Sequence, residues 1–526
     1  MRILWIALLL GFTVSVSAAW AEETAVPRFD IIRFRLDGNT ILGPVEVNRI
    51  LDRYTGPQKD FGTIQEAMDA LEAAYRDHGY SLVTVLLPEQ ELKGGVIRLV
   101  VLEPVTKEVV VAGNRHYSRD NILRSLPTLK TGLPPQMTAI SANLRVANEN
   151  IAKKLTLQFK PLEQPDQLQA LVQVKDERPW KVALTGDNTG TSQSGYYRLG
   201  LSLMDANLWD LDHVAALSYT TSPDHADKVK IISGSYRIPL YTLGDTIDLF
   251  GGYSDVDNGT TQIANVGNLS ISGKGIVSGL RYNLTLPRIG AYEQKLSLGM
   301  DYRQYDNSVQ LFGAELAKDV VAHPFSLTYG GSWSGDLISV DGYIGVLHNE
   351  PWGGLGHQQD YQQVRAGAVA DYWIFRYGFN KMLRLPQDWA FRVAGNGQYT
   401  PDRLIPGEQF GLGGATAVRG YDEREEAWDA GFAGSVELYS PDLARLLEFP
   451  KDQFRLVGFF DGGTGYNLRP QATEAVANSL RSVGTGFRLG IGELFSFSLD
   501  WGYALDNSTT TRRGGNAVHF KGVVTY

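Results

Sequence analysis

The chain has 526 residues, with 49 basic and 58 acidic side chains and a formal net charge of −9, a balance that argues against a nucleic-acid-binding protein. It contains no cysteine, which excludes a disulfide framework, a zinc–thiolate site and a cysteine nucleophile. Its 57 glycines, 25 tyrosines and 10 tryptophans instead suggest many strands with aromatic girdles, as in an outer-membrane barrel.

The N-terminus predicts a secretory signal peptide over residues 1–21. Arg2 is followed by an apolar run over residues 3–16 and by small residues that end in Ala19-Trp20-Ala21, the pattern of a cleavage site. An uncleaved anchor helix is the alternative, but the apolar run is short for a membrane span of about 20 residues. No later apolar run reaches the length of about 18 residues that a transmembrane helix needs. We therefore expect cleavage after Ala21.

Residues 22–103 predict a small α/β domain. A strand pattern over Phe29–Leu36 comes first, and two helical patterns follow. The second helix, predicted over Thr63–His78, has one apolar face and a capping box of Thr63 with Glu66. Two further strands complete the order β-α-α-β-β, and they are predicted at Leu82–Leu87 and Val96–Leu102.

Residues 104–176 repeat this order of strand, two helices and two strands, so the two domains form an internal repeat. Neither domain contains a pattern that looks catalytic. Small sheets of this kind leave exposed edges, and such an edge can accept an extended peptide by strand addition. The alternative is that the two domains act only as spacers.

From residue 177 to residue 526 the pattern changes to segments of about ten residues that alternate between apolar and small or polar side chains. The alternation is clearest over Phe495–Asp506, where one face is rich in aromatic side chains. A soluble sandwich would also alternate, but the signal peptide, the length of the region and a last strand that ends on Tyr526 favour a membrane barrel. We predict sixteen antiparallel transmembrane strands, centred near residues 184, 199, 216, 232, 250, 278, 298, 328, 341, 368, 393, 434, 457, 486, 499 and 521.

One stretch of the barrel region, Phe410–Gly431, is too polar and glycine-rich to be a membrane strand. It falls between the eleventh and twelfth predicted strands, which makes it the sixth surface loop if both termini are periplasmic. Arg419 stands among glycines that allow tight turns or a close approach to a wall. Taken alone, such an arginine would be a solvated surface charge, because exposed ion pairs contribute little.

Two motifs connect this loop with the barrel wall. Val418-Arg419-Gly420-Tyr421 lies in the sixth loop, and Phe459-Phe460-Asp461-Gly462-Gly463 lies in the thirteenth predicted strand. Together with the two repeats and the sixteen strands, these motifs make the chain resemble the TpsB transporters of two-partner secretion. These are the FhaC, ShlB and HecB type of the outer-membrane assembly superfamily, and the repeats correspond to their POTRA domains. The resemblance runs from Phe29 to Tyr526, and shorter similar stretches stand at 87–90, 176–180 and 186–190.

The resemblance implies that the sixth loop, with Val418, Gly420 and Tyr421, folds back into the lumen. It also implies that Arg419 pairs with Asp461 of a wall motif whose other members are Phe459 and Gly463. The strand pattern agrees, because apolar side chains at the even-numbered positions of this strand suit lipid and leave Asp461 facing the lumen. Two unit charges about 4 Å apart attract by roughly 4 kcal/mol at an effective dielectric of about 20, before the cost of desolvation.

Two features depart from the family pattern. The best-known members carry an N-terminal helix that plugs the pore, whereas only Glu22–Arg28 separates the predicted cleavage site from the first strand. Such a short segment cannot form a stable helix that crosses the lumen, so we expect no plug and expect the sixth loop to be the main obstruction. In addition, Gly522 lies one place away from the glycine of the usual C-terminal assembly signal.

The resemblance implies export of one unfolded exoprotein, similar to a haemolysin or an adhesin, across the outer membrane of a Gram-negative bacterium. The partner would carry an N-terminal secretion domain, be captured by the periplasmic POTRA domains and pass the sixth loop inside the barrel. Outer-membrane lipid and, during biogenesis, the barrel assembly machinery are the other implied partners, and no nucleic acid or cofactor is expected. The alternative is an insertase for outer-membrane proteins, which shares the motif pair, although two POTRA repeats favour export. A diffusion porin would explain the barrel but not the repeats.

No enzyme or metal site stands out. The closest histidines of one loop, His348 and His357, are nine residues apart, and no H-E-x-x-H or G-x-S-x-G pattern accompanies them. Asp205, Asp210 and Asp212 are interpreted as residues of a turn rather than as a calcium site. We therefore expect neither catalysis nor a bound metal.

Overall fold

The computed structural model describes residues 27–91, 94–191, 194–256, 260–262, 270–272, 274–306, 310–311, 314–315, 319–446 and 452–526. The predicted signal peptide and residues 22–26 lie outside the described residues. The chain divides into two compact units, one of which runs up to Val105 and includes Gly132–Met137 and Pro161–Leu168. The other unit comprises Thr106–Thr131, Thr138–Lys160 and Gln169–Tyr526. These limits differ from the predicted domain limits at 103 and 176, which stay predictions.

The first α/β domain is built around a long amphipathic helix. Its elements are β1 (Phe29–Ile31), β2 (Arg33–Asp37), α1 (Pro44–Leu51), a 3₁₀ turn (Asp52–Tyr54), β3 (Gly56–Lys59), α2 (Phe61–Asp77), β4 (Thr84–Leu86) and β5 (Val96–Leu102). The main sheet has the order β2-β5-β4, with β2 parallel to β5, and β1 pairs separately with β3. Ile64 and Leu71 of α2 are buried in one apolar cluster with Leu99 of β5.

Two predictions for this domain are wrong in detail. The predicted strand Phe29–Leu36 is divided at Ile32, because the chain pairs first with β3 and then with β5. The N-cap of α2 is Asp60 rather than Thr63, and its carboxylate accepts a hydrogen bond from the N–H of Thr63 at 2.9 Å. A carboxylate at this position also interacts favourably with the positive end of the helix dipole, which favours the earlier start.

The second α/β domain has the predicted order of elements. These are β6 (Val105–Ala112), α3 (Arg119–Arg124), α4 (Met137–Asn148), β7 (Lys153–Pro161) and β8 (Gln167–Asp176). The sheet has the order β6-β8-β7, so that β6 and β7 are its outer strands. Ser118 caps α3, and its hydroxyl accepts a hydrogen bond from the N–H of Asn121 at 3.0 Å.

Sixteen antiparallel strands in the described part of the chain close into a barrel, as predicted. The remaining strands are β9 (Trp180–Asp187), β10 (Arg198–Leu208), β11 (His213–Thr221), β12 (Lys230–Leu240), β13 (Asp245–Asp255), β14 (Thr260–Gln262), β15 (Ser270–Ser272), β16 (Gly275–Thr285), β17 (Tyr292–Tyr305), β18 (Gln310–Leu311), β19 (Ala314–Glu315), β20 (Val320–Ala322), β21 (Pro324–Ser334), β22 (Ile338–Asn349), β23 (Trp373–Arg384), β24 (Ala390–Tyr399), β25 (Phe410–Leu412), β26 (Glu426–Trp428), β27 (Ala430–Tyr439), β28 (Asp452–Tyr466), β29 (Ala477–Ile491), β30 (Phe495–Ala504) and β31 (Asn516–Thr525). The pairs β14–β15, β18–β19 and β25–β26 form separate hairpins, and β20 with β21 makes one barrel strand interrupted at His323.

Short helices and turns complete the connections: α5 (Gln358–Val364), α6 (Leu443–Leu446), and the 3₁₀ turns Pro386–Asp388 and Pro406–Glu408. In the described ranges, none of the helices has the length and apolar character that a membrane span requires.

The predicted strand centre near residue 368 is wrong, and the other fifteen centres fall inside barrel strands. The tenth barrel strand, β23, begins only at Trp373. Before it, Ala368 and Ala370 are buried in an apolar cluster with Tyr361 of α5 and Leu404 of the sixth loop. The apolar run near 368 therefore belongs to the packed core of the surface loops and not to a lipid-facing strand.

The barrel strands show the predicted alternation of faces. In β30 the outward side chains of Trp501 and Tyr503 are 40% and 39% exposed, whereas Asp500 points inward and is buried. The barrel closes where Lys521–Thr525 of β31 pair with β9. Beyond this pairing, the side-chain amide of Asn188 bonds both the C=O of Val518 and the N–H of Phe520, at 2.6 and 2.8 Å. A side chain thus continues the hydrogen bonding where the β9 backbone has left the sheet.

Candidate functional site

The sixth surface loop, residues 400–429 between β24 and β27, turns back into the barrel. Its β25–β26 hairpin carries the motif Val418–Tyr421 between the two strands. Val418 and Tyr421 are fully buried, and they pack in one apolar cluster with Leu480 of β29 and Ala504 of β30. The motif therefore lies against the inner face of the C-terminal barrel strands.

The guanidinium of Arg419 makes a two-pronged contact with Asp461 of β28. Nε donates to Oδ2 and Nη2 donates to Oδ1, both at 2.7 Å, and the backbone N–H of Arg419 donates to Oδ2 at 3.1 Å. The two side chains are 5% and 1% exposed. Bidentate pairs of this kind are strong, and removal of one partner from a buried pair costs about 3–5 kcal/mol because the other charge is left uncompensated. The structure thus brings the two predicted residues together.

Two further carboxylates approach the same guanidinium. Oε1 of Glu437 lies 2.8 Å from Nη2 of Arg419, and Oδ2 of Asp500 lies 3.2 Å from Nη1. Each of these carboxylates has a second cation on the wall, since Arg392 donates to Glu437 at 3.0 Å and Arg488 donates to Asp500 at 2.8 and 2.9 Å. The interactions of Arg419 with Asp461, Glu437 and Asp500 are called the Arg419 anchor below.

Phe459 and Gly463, the other members of the wall motif, shape the surface that receives the loop. Cζ of Arg419 lies 3.5 Å from the centroid of the Phe459 ring, a cation–π contact that can contribute about 2 kcal/mol when desolvated. A Cβ atom on Gly463 would lie 2.4 Å from Cδ1 of Leu412 and 3.3 Å from Cγ2 of Val418. A larger residue at 463 would therefore separate the loop from the wall.

Gly420 and Tyr421 connect the motif with the last three strands. Gly420 has a φ of +94°, a conformation that favours glycine, and a Cβ there would lie 3.0 Å from the carbonyl carbon of Gly502. Its N–H donates to Nε2 of His519 on β31 at 3.1 Å. The hydroxyl of Tyr421 donates to the C=O of Arg481 on β29 at 2.9 Å. Every residue of the motif therefore has a contact that fixes the loop in the lumen.

Sequence reasoning named Arg419 and Asp461 but missed Glu437, Asp500 and His519. A signal was present, because a charged residue in a membrane strand must face the lumen, and the alternation placed Asp500 on the polar face of β30. The sequence does not show which of the inward-facing residues contact the side chain of Arg419. That depends on the register between strands and on the depth to which the loop enters.

Glu425 connects the sixth loop with the eighth surface loop, which joins β30 to β31. Its Oε1 accepts hydrogen bonds from the N–H groups of Thr510 and Thr511 at 2.8 and 2.6 Å, and the Ser508 hydroxyl also donates to it. Burial acts to raise the pKa of Glu425, but the hydrogen bonds from Ser508, Thr511 and Thr510 outweigh it and lower the pKa to about 2. The carboxylate is therefore ionised at neutral pH.

A cavity of about 1690 Å³ occupies the lumen between the second α/β domain and the sixth loop. Helix α4 lines it on one side with Arg145 and the following Glu149, and the loop lines it on the other with Glu423 and Arg424. The barrel wall between them contributes charged and polar side chains and many glycines. The lining therefore carries both signs of charge.

The three aspartates are engaged by the protein itself. Asp205, predicted as a turn residue, lies inside β10 and accepts a hydrogen bond from the N–H of Asn207 at 2.8 Å, whereas the other two lie in the β10–β11 turn. Oδ2 of Asp212 lies 2.5 Å from Nζ of Lys153, and both side chains are buried. Asp210 has a positive φ of +58°, and its carboxylate accepts a hydrogen bond from Ser118. Within the described residues, no group of three or more His, Cys, Asp or Glu could hold a metal ion. His348 stacks on Trp373 of β23, and its Nε2 lies 3.5 Å from a carboxylate oxygen of Glu350 and 3.4 Å from one of Asp371.

Comparison with known families identifies the barrel and the first α/β domain. The model of the haemolysin secretion/activation protein family ShlB/FhaC/HecB matches residues 169–489. The chain belongs to this family. The model of the ShlB-type POTRA domain matches residues 29–104. This member of the family is a β-barrel transporter of two-partner secretion in the outer membrane, and its POTRA domains lie in the periplasm.

Individual transporters are similar over most of the chain. The heme/hemopexin transporter protein HuxB of Haemophilus influenzae (strain 86-028NP) is 21% identical over 480 residues, which cover 88% of this chain and 81% of HuxB. The outer membrane transporter CdiB of Escherichia coli is 22% identical over 437 residues, which cover 78% of this chain and 69% of CdiB.

Solved structures show the same fold. CdiB from Escherichia coli matches with a TM-score of 0.75 and 19% identity, over 97% of this chain and 93% of CdiB. CdiB from Acinetobacter baumannii matches with a TM-score of 0.68 and 15% identity, over 95% and 90% of the two chains. BamA from Haemophilus ducreyi lacking POTRA domains 1–3 matches with a TM-score of 0.53 and 14% identity, over 95% and 100%. The predicted family and fold are confirmed.

Proposed function

We propose that this transporter exports one unfolded exoprotein, similar to a haemolysin or an adhesin, and that the sixth loop restricts its path until the partner arrives. The observation that carries the proposal is the position of the loop. It stands in the lumen, fixed by the Arg419 anchor, above a cavity that extends to helix α4 of the second α/β domain. A lumen lined with charges of both signs suits a hydrated extended chain better than an apolar ligand.

The partner is captured by strand addition to an outer strand of a POTRA sheet. Three outer strands have a backbone group already bonded by a side chain, and on β6 this is one long contact, from Nη2 of Arg119 to the C=O of Val109 at 3.4 Å. Glu72 accepts from the N–H of Val85 on β4 at 2.9 Å, and Asn148 bonds both the N–H and the C=O of Leu155 on β7, at 2.6 and 3.0 Å. Strand β6, Val105–Ala112, is longer than β4, and we place the capture of the N-terminal secretion domain there.

Passage is driven by folding of the partner outside the cell, since ATP is not present in the periplasm. The barrel assembly machinery inserts the transporter during biogenesis, and outer-membrane lipid covers the aromatic outer face. No nucleic acid and no cofactor takes part, and the protein acts without catalysis.

The variant Arg419→Ala tests the role of the loop. It leaves three carboxylates in the lumen without their common cation, so we expect a folded barrel that secretes less partner. Heat-modifiable migration on gels checks insertion, and the amount of partner in the culture medium checks export. Arg455→Ala is the control, because Arg455 lies on β28, the strand of Asp461, and its Nη2 donates to both carboxylate oxygens of Asp388 at 2.8 and 3.0 Å. Normal secretion by Arg419→Ala would contradict the proposal.

An insertase for outer-membrane proteins is the other function compatible with the motif pair. Depletion of the transporter separates the two. Loss of one secreted protein supports export, and loss of several unrelated barrels from the outer membrane supports insertion. A neighbouring reading frame for a large secreted protein with an N-terminal secretion domain would favour export in the same way.

A further inference from the structure

A second buried ion cluster fixes the limb of the sixth loop that descends from β24. Glu408 ends the 3₁₀ turn Pro406–Glu408, and its side chain is fully buried. Nη1 of Arg303 on β17 donates to both carboxylate oxygens of Glu408 at 2.9 Å, and the hydroxyl of Tyr305 donates to Oε1 at 2.7 Å. Nη2 of Arg376 on β23 lies 3.4 Å from Oε2. These contacts are called the Glu408 anchor.

The backbone around Glu408 is shaped to reach this wall. A Cβ atom on Gly407 would lie 2.4 Å from the ring of Tyr305, so glycine allows the turn to lie directly on that ring. From the returning limb, Nη2 of Arg424 donates to the C=O of Pro406 at 2.8 Å and to the C=O of Gln409 at 2.9 Å. The turn is therefore bound to the wall on one side and to the rest of the loop on the other.

The two anchors stand on different parts of the wall. The wall residues of the Glu408 anchor lie on the seventh and tenth of the sixteen barrel strands, whereas Asp461 lies on the thirteenth, so the two anchors use different strands. We propose that Glu408 is a positioning residue for export: it binds the sixth loop to β17 and β23 independently of Arg419. The loop clears the pore only when both anchors have been released.

Independence follows from the partners. Glu408 contacts Arg303, Tyr305 and Arg376, and none of these three is a partner of Arg419 in the described part of the chain. Free energies of sites without shared partners add, so their effects on the population of a displaced loop multiply. If Glu408 acted only through Arg419, substitution of Glu408 would not displace the loop further in a protein that already lacks Arg419.

The charges of the cluster make Glu408 sensitive to neutralisation. Arg303 also donates to Asp301 at 2.7 Å, and Asp301 accepts from Arg281, so two carboxylates face three guanidinium groups. In Glu408→Gln the carboxylate of Asp301 is the only one left to balance these three cations. One of the two oxygens that accept from Arg303 is also replaced by an amide nitrogen, which cannot accept. Hydrogen bonds between charged groups contribute more than neutral ones, and we expect displacement of the loop to become about tenfold more frequent.

The test uses the absence of cysteine from the native chain. Thr416 is exposed in the lumen cavity, so Thr416→Cys places a single thiol on the loop. Its reaction rate with a membrane-impermeant maleimide added to intact cells reports how often the loop moves outward. The inference rests on the proposed role of the loop as the obstruction, but the labelling rate reports loop position whether or not a partner is exported.

We expect Glu408→Gln to raise the labelling rate about tenfold and Arg419→Ala to raise it separately, with the double variant showing the product of the two factors. Asp248→Asn is the matched control, because Asp248 forms a comparable fork with Arg237 at 2.6 and 2.9 Å on the wall strands. A double variant no faster than Arg419→Ala, or a Glu408→Gln rate equal to the control, would overturn the proposal.

Heat-modifiable migration shows whether Glu408→Gln folds. If it does not, a milder variant tests the same contact. Tyr305→Phe removes one hydrogen bond to Glu408 and keeps the ring that supports Gly407. We expect a smaller increase in the labelling rate with a normal barrel. An unchanged rate in this variant would contradict a positioning role for Glu408.

Discussion

Arg419 shows how a charge is kept in the middle of a barrel. Burial disfavours a charge, but the carboxylates of Asp461, Glu437 and Asp500 lie within 3.2 Å of the guanidinium and compensate it. An arginine guanidinium is not deprotonated in proteins, so the side chain stays charged. Displacement of the loop must come from competition for these carboxylates or from the passage of the partner, and not from loss of the proton.

Glu425 is the residue of the loop for which pH matters. Its pKa in the folded protein is about 2, below the ordinary 4.5, so its contribution to stability is complete above the ordinary value and is lost as pH falls from about 4.5 to about 2. We expect the temperature of barrel unfolding to fall in this window, and to fall less in Glu425→Gln. Heating at each pH followed by electrophoresis measures this temperature. Equal slopes for the two proteins would contradict the prediction.

The pairing of Arg419 with Asp461 could be expected from two short motifs because each motif also has a characteristic place in the barrel. Glu408 had no such signal. An acidic residue after Pro406-Gly407 is what any surface turn contains, and its partner Arg303 is more than a hundred residues away in the sequence. Only the depth of the loop in the lumen brings these side chains together.

Among the elements, the strand β28 illustrates how glycine makes room for a loop. Gly463 lies directly under Leu412 and Val418, whereas a Cβ on Gly458 of the same strand would have no atom within 4 Å. The strands themselves were predictable, because lipid on one side and water on the other impose an alternation with a period of two. The strand prediction near residue 368 is wrong because the apolar residues of that segment pack against other loops and not against lipid.

Substitution of these two glycines tests whether the sixth loop rests on β28. We expect Gly463→Ala to displace the loop, because the new methyl group would lie 2.4 Å from Leu412, and Gly458→Ala to have no effect. Single-channel conductance of the purified transporter in a planar bilayer measures the obstruction, and we expect larger or more frequent openings only in Gly463→Ala. Identical traces for the two variants would show that the loop does not rest on Gly463.

For the whole molecule, the turns at the periplasmic end of the barrel are docked on the second α/β domain. Lys153 is buried against Asp212 of the β10–β11 turn, and Asp212 also accepts hydrogen bonds from Asn121 at 3.0 Å and from Tyr241 at 2.5 Å. Burial lowers the pKa of Lys153, although Asp212 acts in the opposite direction. These contacts join α3, β7 and two barrel turns into one polar network.

This network predicts the effect of Lys153→Met. The substitution leaves Asp212 buried without its cation, a loss of about 3–5 kcal/mol, so we expect the docked domain to be cleaved faster in limited proteolysis while the barrel stays heat-modifiable. Lys154→Met, at the exposed neighbouring position, is the control. Equal cleavage of Lys153→Met and the control would contradict the role of this pair.

The chain order of the Arg419 anchor has a consequence for biogenesis. The wall residues that receive the motif, from Ser435 and Glu437 through Asp461 and Asp500 to His519, all follow it in the sequence. The motif therefore reaches the periplasm before the wall residues of the Arg419 anchor, whereas the wall residues of the Glu408 anchor, on β17 and β23, precede the loop. The contacts of the motif are complete only when the last strand is in place. Closure of the barrel and completion of the motif's contacts are in this way one event, so that a chain truncated before β31 is left with an unfinished wall and an incompletely held loop.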